Sequence, residues 1–333
     1  MAAKKSQTKP AGAGKTGVSK AGGNKKVAPA KTLVSVVLSF RNEEDVIPEL
    51  IDRLDDVFTT AKLGYELIFV NDDSTDRSLE ILKKSAEANP RIKVINMSRR
   101  FGVSECVMAG IAFSTGDAVI SMDADLQDPP EVIPELVEKW RNGAEVVYTV
   151  RTERDGEHPL KMWLTRMAYR AINASSEIDM PVNAGDFRLL SRLACDKLLE
   201  LGEMDPYPRG LVPWIGYRQE AHYYRRDARA GGEGHFSLFN SLNPYKTFIS
   251  GLTSFSMAPI FLIFLIGGGV SLFSLIGLIF SGGGTTGWIM FALLLWGSLM
   301  FSLGLVGIYV GRTYKDVRGR PHYIVKDTIG FGD

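Results

Sequence analysis

Residues 118–150, AVISMDADLQDPPEVIPELVEKWRNGAEVVYTV, carry the pattern that decides the fold. Ala118–Met122 is a short apolar run, as a strand buried on both faces requires. It ends in Asp123-Ala124-Asp125-Leu126-Gln127-Asp128, after which a helix is predicted over Pro130–Asn142 and a further strand over Glu145–Val150. A strand, an acidic loop, a helix and a strand at this spacing form a unit of an α/β sheet with parallel strands.

The same alternation runs upstream. Leu33–Phe40 reads as a buried strand. Asn42, with Asp45 three residues on, is placed to cap a helix whose apolar positions are Val46, Ile47, Leu50, Ile51, Leu54, Val57 and Phe58. Tyr65–Val70 is a strand, Ser74–Ala88 a helix stopped by Asn89-Pro90, Ile92–Met97 a strand and Val103–Ser114 a helix. The expected class is α/β, a mostly parallel sheet flanked by helices. Ligands of such sheets bind beyond the carboxyl ends of the strands. Three of those ends run into acid: Arg41-Asn42-Glu43-Glu44-Asp45, Asn71-Asp72-Asp73-Ser74-Thr75-Asp76 and Asp123–Asp128. Each alone also reads as a capped turn. Together on one sheet edge they repel one another unless a cation intervenes. Asp123 and Asp125, two apart at a strand end, offer oxygens to one divalent metal, and such hard ligands suit Mg²⁺ or Mn²⁺. No G-x-G-x-x-G follows the first strand, which disfavours a nicotinamide dinucleotide.

Charge and hydropathy are uneven along the 333 residues. Residues 1–31 hold eight lysines and no acid, and are expected to be a disordered basic tail. Gly12-Ala13-Gly14-Lys15-Thr16 imitates the end of a phosphate loop without the strand that such a loop follows. The whole chain is +1, so without the tail's eight charges the remainder is −7. Two cysteines, Cys106 and Cys195, exclude a disulfide framework and a Cys-rich zinc site. Met257–Phe280 and Trp288–Val310 contain no charged side chain and are long enough to cross a bilayer, joined by a Gly-rich turn. Lys246 precedes the first run, and Arg312, Lys315, Arg318 and Arg320 follow the second, so the positive-inside rule puts the N-terminal domain and both termini in the cytoplasm. Phe236, Phe239, Leu242, Tyr245, Phe248, Leu252 and Phe255 recur at helical spacing, as in a helix lying in the membrane interface. The expected organisation is a tail (1–31), a catalytic domain (32–235), an amphipathic interfacial stretch (236–256), a two-helix transmembrane anchor (257–311) and a C-terminal tail (312–333).

The nine residues Asp123-Ala124-Asp125-Leu126-Gln127-Asp128-Pro129-Pro130-Glu131 resemble the extended D-x-D-L-Q-D-P-P-E signature of family 2 glycosyltransferases of the polyprenyl-phosphate sugar synthase type, relatives of dolichyl-phosphate mannose synthase and bactoprenol glucosyltransferases. Asn42-Glu43-Glu44, Val70–Asp76, Ser98–Gly102, Gly185–Leu189 and Arg209-Gly210-Leu211 with Trp214-Ile215-Gly216 resemble further motifs of that family, over about residues 33–322. The resemblance implies a GT-A fold, a nucleotide-sugar donor, a divalent cation and a polyprenyl-phosphate acceptor. By the same resemblance Phe40, Asn42, Glu43, Asp72, Asp123, Ala124 and Asp125 would hold the donor, Asp123, Asp125 and Gln127 the metal, and Asp186 would act as catalytic base or positioning carboxylate. Asn71 stands where the pattern has an acid, Asp73 where it has Gly, and His235 where it has Lys.

A lipid phosphate is already largely ionised at neutral pH, its second pKa lying near 6, so cations that hold it matter more than a strong base. Arg151, Arg154, Arg229 and His235 are the candidates. Transfer of glucose from UDP-glucose to an undecaprenyl phosphate-like lipid is the expected reaction. The alternatives are a processive polysaccharide synthase, which needs more spans and a Q-x-x-R-W motif, a nucleotidyltransferase, and a non-catalytic scaffold that binds a nucleotide sugar at the membrane. No nucleic acid partner is expected. Gly267–Gly269 and Gly304, Gly307 and Gly311 leave room for helices to approach closely, within one chain or between copies in a homo-oligomer.

Overall fold

The computed structural model describes residues 32–152, 184–203, 206–225, 258–280 and 284–332. The expected basic tail, the interfacial stretch, and Arg154, Arg229 and His235 lie outside the described residues. The elements in chain order are β1 (Leu33–Phe40), α1 (Ile47–Ala61), β2 (Gly64–Asn71), α2 (Ser78–Ala88), β3 (Ile92–Met97), α3 (Val103–Phe113), β4 (Ala118–Asp123), α4 (Ile133–Arg141), β5 (Val146–Arg151), β6 (Ala184–Ser191), α5 (Arg192–Glu200), α6 (Pro208–Trp214), β7 (Gln219–Tyr224), α7 (Ala258–Phe280), α8 (Thr285–Val317) and β8 (Val325–Ile329).

One eight-stranded sheet runs in the order β7-β5-β6-β4-β1-β2-β3-β8. Strands β4, β1, β2 and β3 are mutually parallel, and β6 and β8 pair with their neighbours antiparallel. The central strands are apolar on both faces, so each face must be covered. Val36, Leu38, Leu67 and Phe69 pack towards α1, α2 and α4, whereas Val37, Ile68 and Val70 pack towards α3, α5 and α6. Helix α3 approaches β1 most closely at Gly110, where an added Cβ would stand 2.2 Å from a methyl carbon of Val37. A methyl-sized gap there is filled by the valine, and only glycine fits the helix beside it.

The five strands expected between residues 33 and 150 are where their patterns place them, and α3 starts at Val103 as expected; the starts of α1, α2 and α4 differ. Asn42 does not cap α1. It adopts a left-handed conformation (φ 57°), and its side chain pairs across to the loop after β2, so the helix begins later, at Ile47. For the same reason α2 starts at Ser78 rather than Ser74: residues 74–77 are spent on the neighbouring loop, and the Asp76 carboxylate takes the Ser78 amide (3.1 Å) and hydroxyl (2.8 Å). Pro130–Val132 is a 3₁₀ turn preceding α4.

The C-terminal segment differs most from its expected role as a tail. Helix α8 is 33 residues long, and the chain then returns to the sheet, where β8 covers the edge of β3. Gly330 (φ 77°) closes that contact, since an added Cβ would lie 2.6 Å from the Ile92 carbonyl oxygen. Phe331 packs edge-on to Phe113, with the Lys93 ammonium over its ring. Among the described residues, α8 is the one helix long and apolar enough to cross a membrane. Helix α7 is apolar too, but its Leu265–Phe280 portion is shorter than a span. A stripe of α8 through Phe291, Leu295, Ser298, Leu305 and Tyr309 is half-buried and α7 packs against the helix, while the other apolar side chains of α8 stay exposed, as the interior of a bilayer, and not a protein core, would require.

Candidate active site

Parallel register brings the acidic loops together. Phe40 pairs with Asn71, Ser39 with Asp123 and Asn71 with Asn96, so β1, β2, β3 and β4 end on one line. Neighbouring strands lie about 4.8 Å apart, which puts the loops that follow them side by side.

The first two loops are laced together. The Asn42 amide donates to the Ser74 hydroxyl (3.1 Å), the Thr75 amide to Asn42 Oδ1 (2.8 Å), the Glu43 amide to the Ser78 hydroxyl (2.9 Å), the Glu44 amide to Asp76 (3.1 Å) and the Arg77 amide to Glu44 (2.8 Å). Most of the polar residues in N-E-E and N-D-D-S-T-D therefore hold one loop to the other. Asp72 is buried, and its Oδ1 accepts from the amides of Phe101 (2.7 Å) and Gly102 (3.2 Å), tying the loop after β3 into the same edge. Gly102 needs its glycine: at φ 121° an added Cβ would also meet Glu105 at 3.0 Å. Of the expected donor residues, Phe40 and Ala124 have buried side chains, and Phe40 stands edge-on to Phe69. Phe40 reaches the site through its backbone, where its carbonyl accepts the Asp72 amide at 3.0 Å. Glu43 is also largely buried, and its carbonyl caps α1 through the amides of Val46 and Ile47.

The third loop begins at Asp123, the last residue of β4. Asp125 turns back on itself, its Oδ1 accepting the Gln127 amide at 3.1 Å, and Leu126 takes the left-handed conformation (φ 56°) with its side chain buried. Asp128 is wholly buried and receives the Tyr224 hydroxyl, with the Arg151 guanidinium 3.9 Å away. Burial followed by the nearby carboxylate pushes the Tyr224 phenol up to about 12, so it donates and stays neutral. The loop thus has two layers: Asp128 anchors it from below, and Asp123, Asp125 and Gln127 lie at its partly exposed rim. A donor set of carboxylate and amide oxygens fits a hard divalent cation. Among the described residues no three His, Cys, Asp or Glu side chains form a ready cage. That suits an ion held by one or two carboxylates that takes its other ligands from substrate phosphates and water.

Asp186, on β6, is the fourth part. Arg209 at the start of α6 grips it in a fork, Nε to Oδ1 at 2.9 Å and Nη2 to Oδ2 at 2.5 Å, and Arg188 Nη2 stands 3.6 Å from Oδ1. Burial alone would raise its pKa, but the charges of Arg209, Arg188 and Arg151 and the Arg209 hydrogen bonds outweigh that and hold it well below the usual carboxylate range. A carboxylate so held is a poor proton acceptor at neutral pH and is well fixed in orientation. Arg151 is largely buried between Asp128, Tyr224 and Gly185. Its charge is engaged by the protein, so phosphate binding would have to compete with Asp128. Arg209 and Tyr224 were absent from the expected site. Arg209 had a signal, the R-G-L motif; a tyrosine ending a late strand had none.

Comparison with known proteins agrees with this arrangement. The model of Glycosyl transferase family 2 matches residues 35–199. The uncharacterized glycosyltransferase YkcC of Bacillus subtilis is 42% identical over 306 residues, covering 89% of this chain and 94% of the relative. The prophage bactoprenol glucosyl transferase homolog of Escherichia coli is 32% identical over 303 residues, covering 88% and 98%. Among solved structures, mannosyl-3-phosphoglycerate synthase from Rubrobacter xylanophilus overlays with a TM-score of 0.47 at 18% identity, over 67% of this chain and 73% of that one. With relatives 42% and 32% identical over nearly the whole chain, the protein belongs to glycosyltransferase family 2.

Proposed function

We propose that this glycosyltransferase moves a hexose, glucose from UDP-glucose in the first instance, onto the phosphate of a membrane polyprenyl phosphate, with inversion at the anomeric carbon. The observation that carries the reading is the alignment of three acidic loops at one sheet edge in a chain whose C-terminal part holds a long apolar helix with no fully buried residue. The names of the bactoprenol glucosyl transferase relatives support the acceptor class.

In this reading the loops after β1 and β2 cradle the nucleoside, and Asp123, Asp125 and Gln127 hold a Mg²⁺ or Mn²⁺ ion against the donor diphosphate. The ion supplies charge neutralisation for the departing diphosphate. An oxygen of the lipid phosphate attacks the anomeric carbon, and the bond from that carbon to the diphosphate oxygen breaks, its electron pair leaving with the nucleoside diphosphate. The nucleophile is ionised beforehand, so no side chain need take a proton. Asp186, held rigid by Arg209, orients the sugar from the other side of the site. Arg154, Arg229 and His235 guide the acceptor phosphate, with Arg151 behind them. Helix α7, over its full 23 residues, and α8 both span the bilayer with the catalytic domain on the cytoplasmic side. Phosphate and donor then meet at the surface while the prenyl chain stays in the lipid.

Membranes containing the protein, given labelled UDP-glucose, undecaprenyl phosphate and Mg²⁺ or Mn²⁺, should yield a lipid-extractable labelled product. Absence of any lipid-linked sugar across UDP- and GDP-sugars overturns the reading.

A further inference from the structure

Beneath the nucleoside loops runs a line of side chains that links them to β8. Asn96 Nδ2 donates to Asp327 Oδ2 at 3.2 Å. Asn71 Nδ2 donates to Asn96 Oδ1 at 2.8 Å. The Ser74 amide donates to Asn71 Oδ1 at 3.0 Å, and the Ser74 hydroxyl in turn accepts the Asn42 amide at 3.1 Å. The two asparagines are buried, 1% and 6% exposed, so neither exchanges its partners for water. Asp327 is 231 residues from Asn96 in sequence and faces it because β8 pairs with β3 in that register.

The line has a direction. An ionised carboxylate only accepts, whereas a primary amide donates from nitrogen and accepts at oxygen. Asp327 therefore turns the Asn96 nitrogen towards itself and the Asn96 oxygen towards Asn71. That oxygen turns the Asn71 nitrogen towards it, leaving Asn71 Oδ1 for the Ser74 amide. Reversing Asn71 sets its oxygen against Asn96 Oδ1 in a buried place, at the cost of an unmade hydrogen bond, whereas the Asp327 end of the line borders solvent, since Asp327 is exposed.

We propose that Asp327 is a positioning residue for the donor site: through Asn96 and Asn71 it sets the polarity that holds the nucleoside loop at Ser74, which makes an acid at 327 and an acid at 71 mutually exclusive. This rests on the donor reading given above. It also accounts for the asparagine at 71, where the family pattern has an acid. With Asp327 present, an acid at 71 would confront Asn96 with acceptors on both sides, and the Asn96 oxygen, which only accepts, would face one of them.

The test uses the full chain and two readouts: amide hydrogen exchange in the peptide carrying residues 71–78, and the affinity for UDP in the presence of Mn²⁺. Losing one buried hydrogen bond corresponds to about a fivefold effect. Asn71→Asp alone should speed exchange and weaken UDP binding by about that factor. In Asn71→Asp/Asp327→Asn the Asn96 amide reverses, all partners are satisfied again, and both readouts return to near wild type. A role for Asp327 in stability alone predicts no such rescue. A double variant as impaired as Asn71→Asp, or an Asn71→Asp variant that behaves like wild type, overturns the proposal. Should Asn71→Asp fail to fold, recovery of folded protein in the double variant supports the relay and continued failure overturns it. If wild type binds neither UDP nor GDP while exchange follows the rescue pattern, the donor reading fails and the relay stands.

Discussion

Replacing Asp186 by Asn should destabilise the protein more than removing its closest partner, Arg209. The carboxylate is shared: Arg209 holds both oxygens at 2.9 and 2.5 Å, Arg188 stands at 3.6 Å, and the Arg151 charge also acts on it. Side-chain exposure is 28% for Asp186 and 35% for Arg209, which lies between a surface pair, worth about 0–1 kcal/mol, and a fully buried one, whose breaking costs about 3–5 kcal/mol. Arg209→Ala leaves Arg188, 5% exposed, to balance the acid, so about 2 kcal/mol is expected. Asp186→Asn removes the acid that three guanidinium groups face, and about 3 kcal/mol is expected. In a domain of this size each kcal/mol moves Tm by about 2–4 °C, so thermal melts in detergent should fall by about 4–8 °C and 6–12 °C respectively. The sign of the pH dependence follows from a folded-state pKa held below the unfolded value. The Asp186 contribution is complete above the ordinary carboxylate range near pH 4 and is lost as pH falls through the lower folded value. The gap between wild type and Asp186→Asn should therefore be flat from pH 5 to 8 and narrow only in strong acid, with pH values set by the buffers of the melt. A smaller Tm shift for Asp186→Asn than for Arg209→Ala, or a gap that changes between pH 6 and 8, refutes the shared-carboxylate argument.

Other outcomes are equally open to measurement. Asp125→Ala should abolish sugar transfer while leaving the melt nearly unchanged, since Asp125 makes a local turn contact and no core contact; near-normal turnover would remove it from the mechanism. Gly110→Ala should cost about 1–3 kcal/mol in urea titrations, because its methyl has no room against Val37. Glu66, with 6% side-chain exposure, accepts from Ser35 Oγ and from the Thr115 amide and hydroxyl, and pairs with Lys93 at 2.7 Å. Burial would raise its pKa, but Lys93 and these donors lower it, so its contribution is present above about pH 4.5 and is lost as pH falls through the lower folded value; Glu66→Gln should lose about 2–3 kcal/mol at neutral pH and progressively less in acid. Arg229→Ala should raise KM for the lipid more than for the donor, and the opposite pattern would reassign Arg229 to the donor phosphates.

The strands were legible because a strand buried on both faces admits little but Val, Ile, Leu and Phe. The acidic edge was legible because parallel strands deliver their loops to one side. Asn42 was misread for a physical reason: its side chain has the same affinity for a helix amide as for the Thr75 amide across the site, and tertiary pairing decides which is made. Arg209 was visible as a motif residue, but its fork onto Asp186 depends on β6 and α6 meeting in space. Nothing local marked Val325–Ile329 as a strand. Five residues, the middle three exposed, after a long helix read as a tail until the edge of β3 is seen.

That last strand imposes an order on biosynthesis. Residues 94–97 leave the ribosome more than two hundred residues before their partners in β8, with both long apolar helices in between. Until those helices have been made, one edge of the sheet carries open amides and carbonyls, a known route to aggregation. Completion of the sheet thus waits on completion of both apolar helices. A chain truncated anywhere before residue 325 is left with an unfinished edge beside its nucleoside loop, so the fold itself discriminates against molecules that were started but not finished.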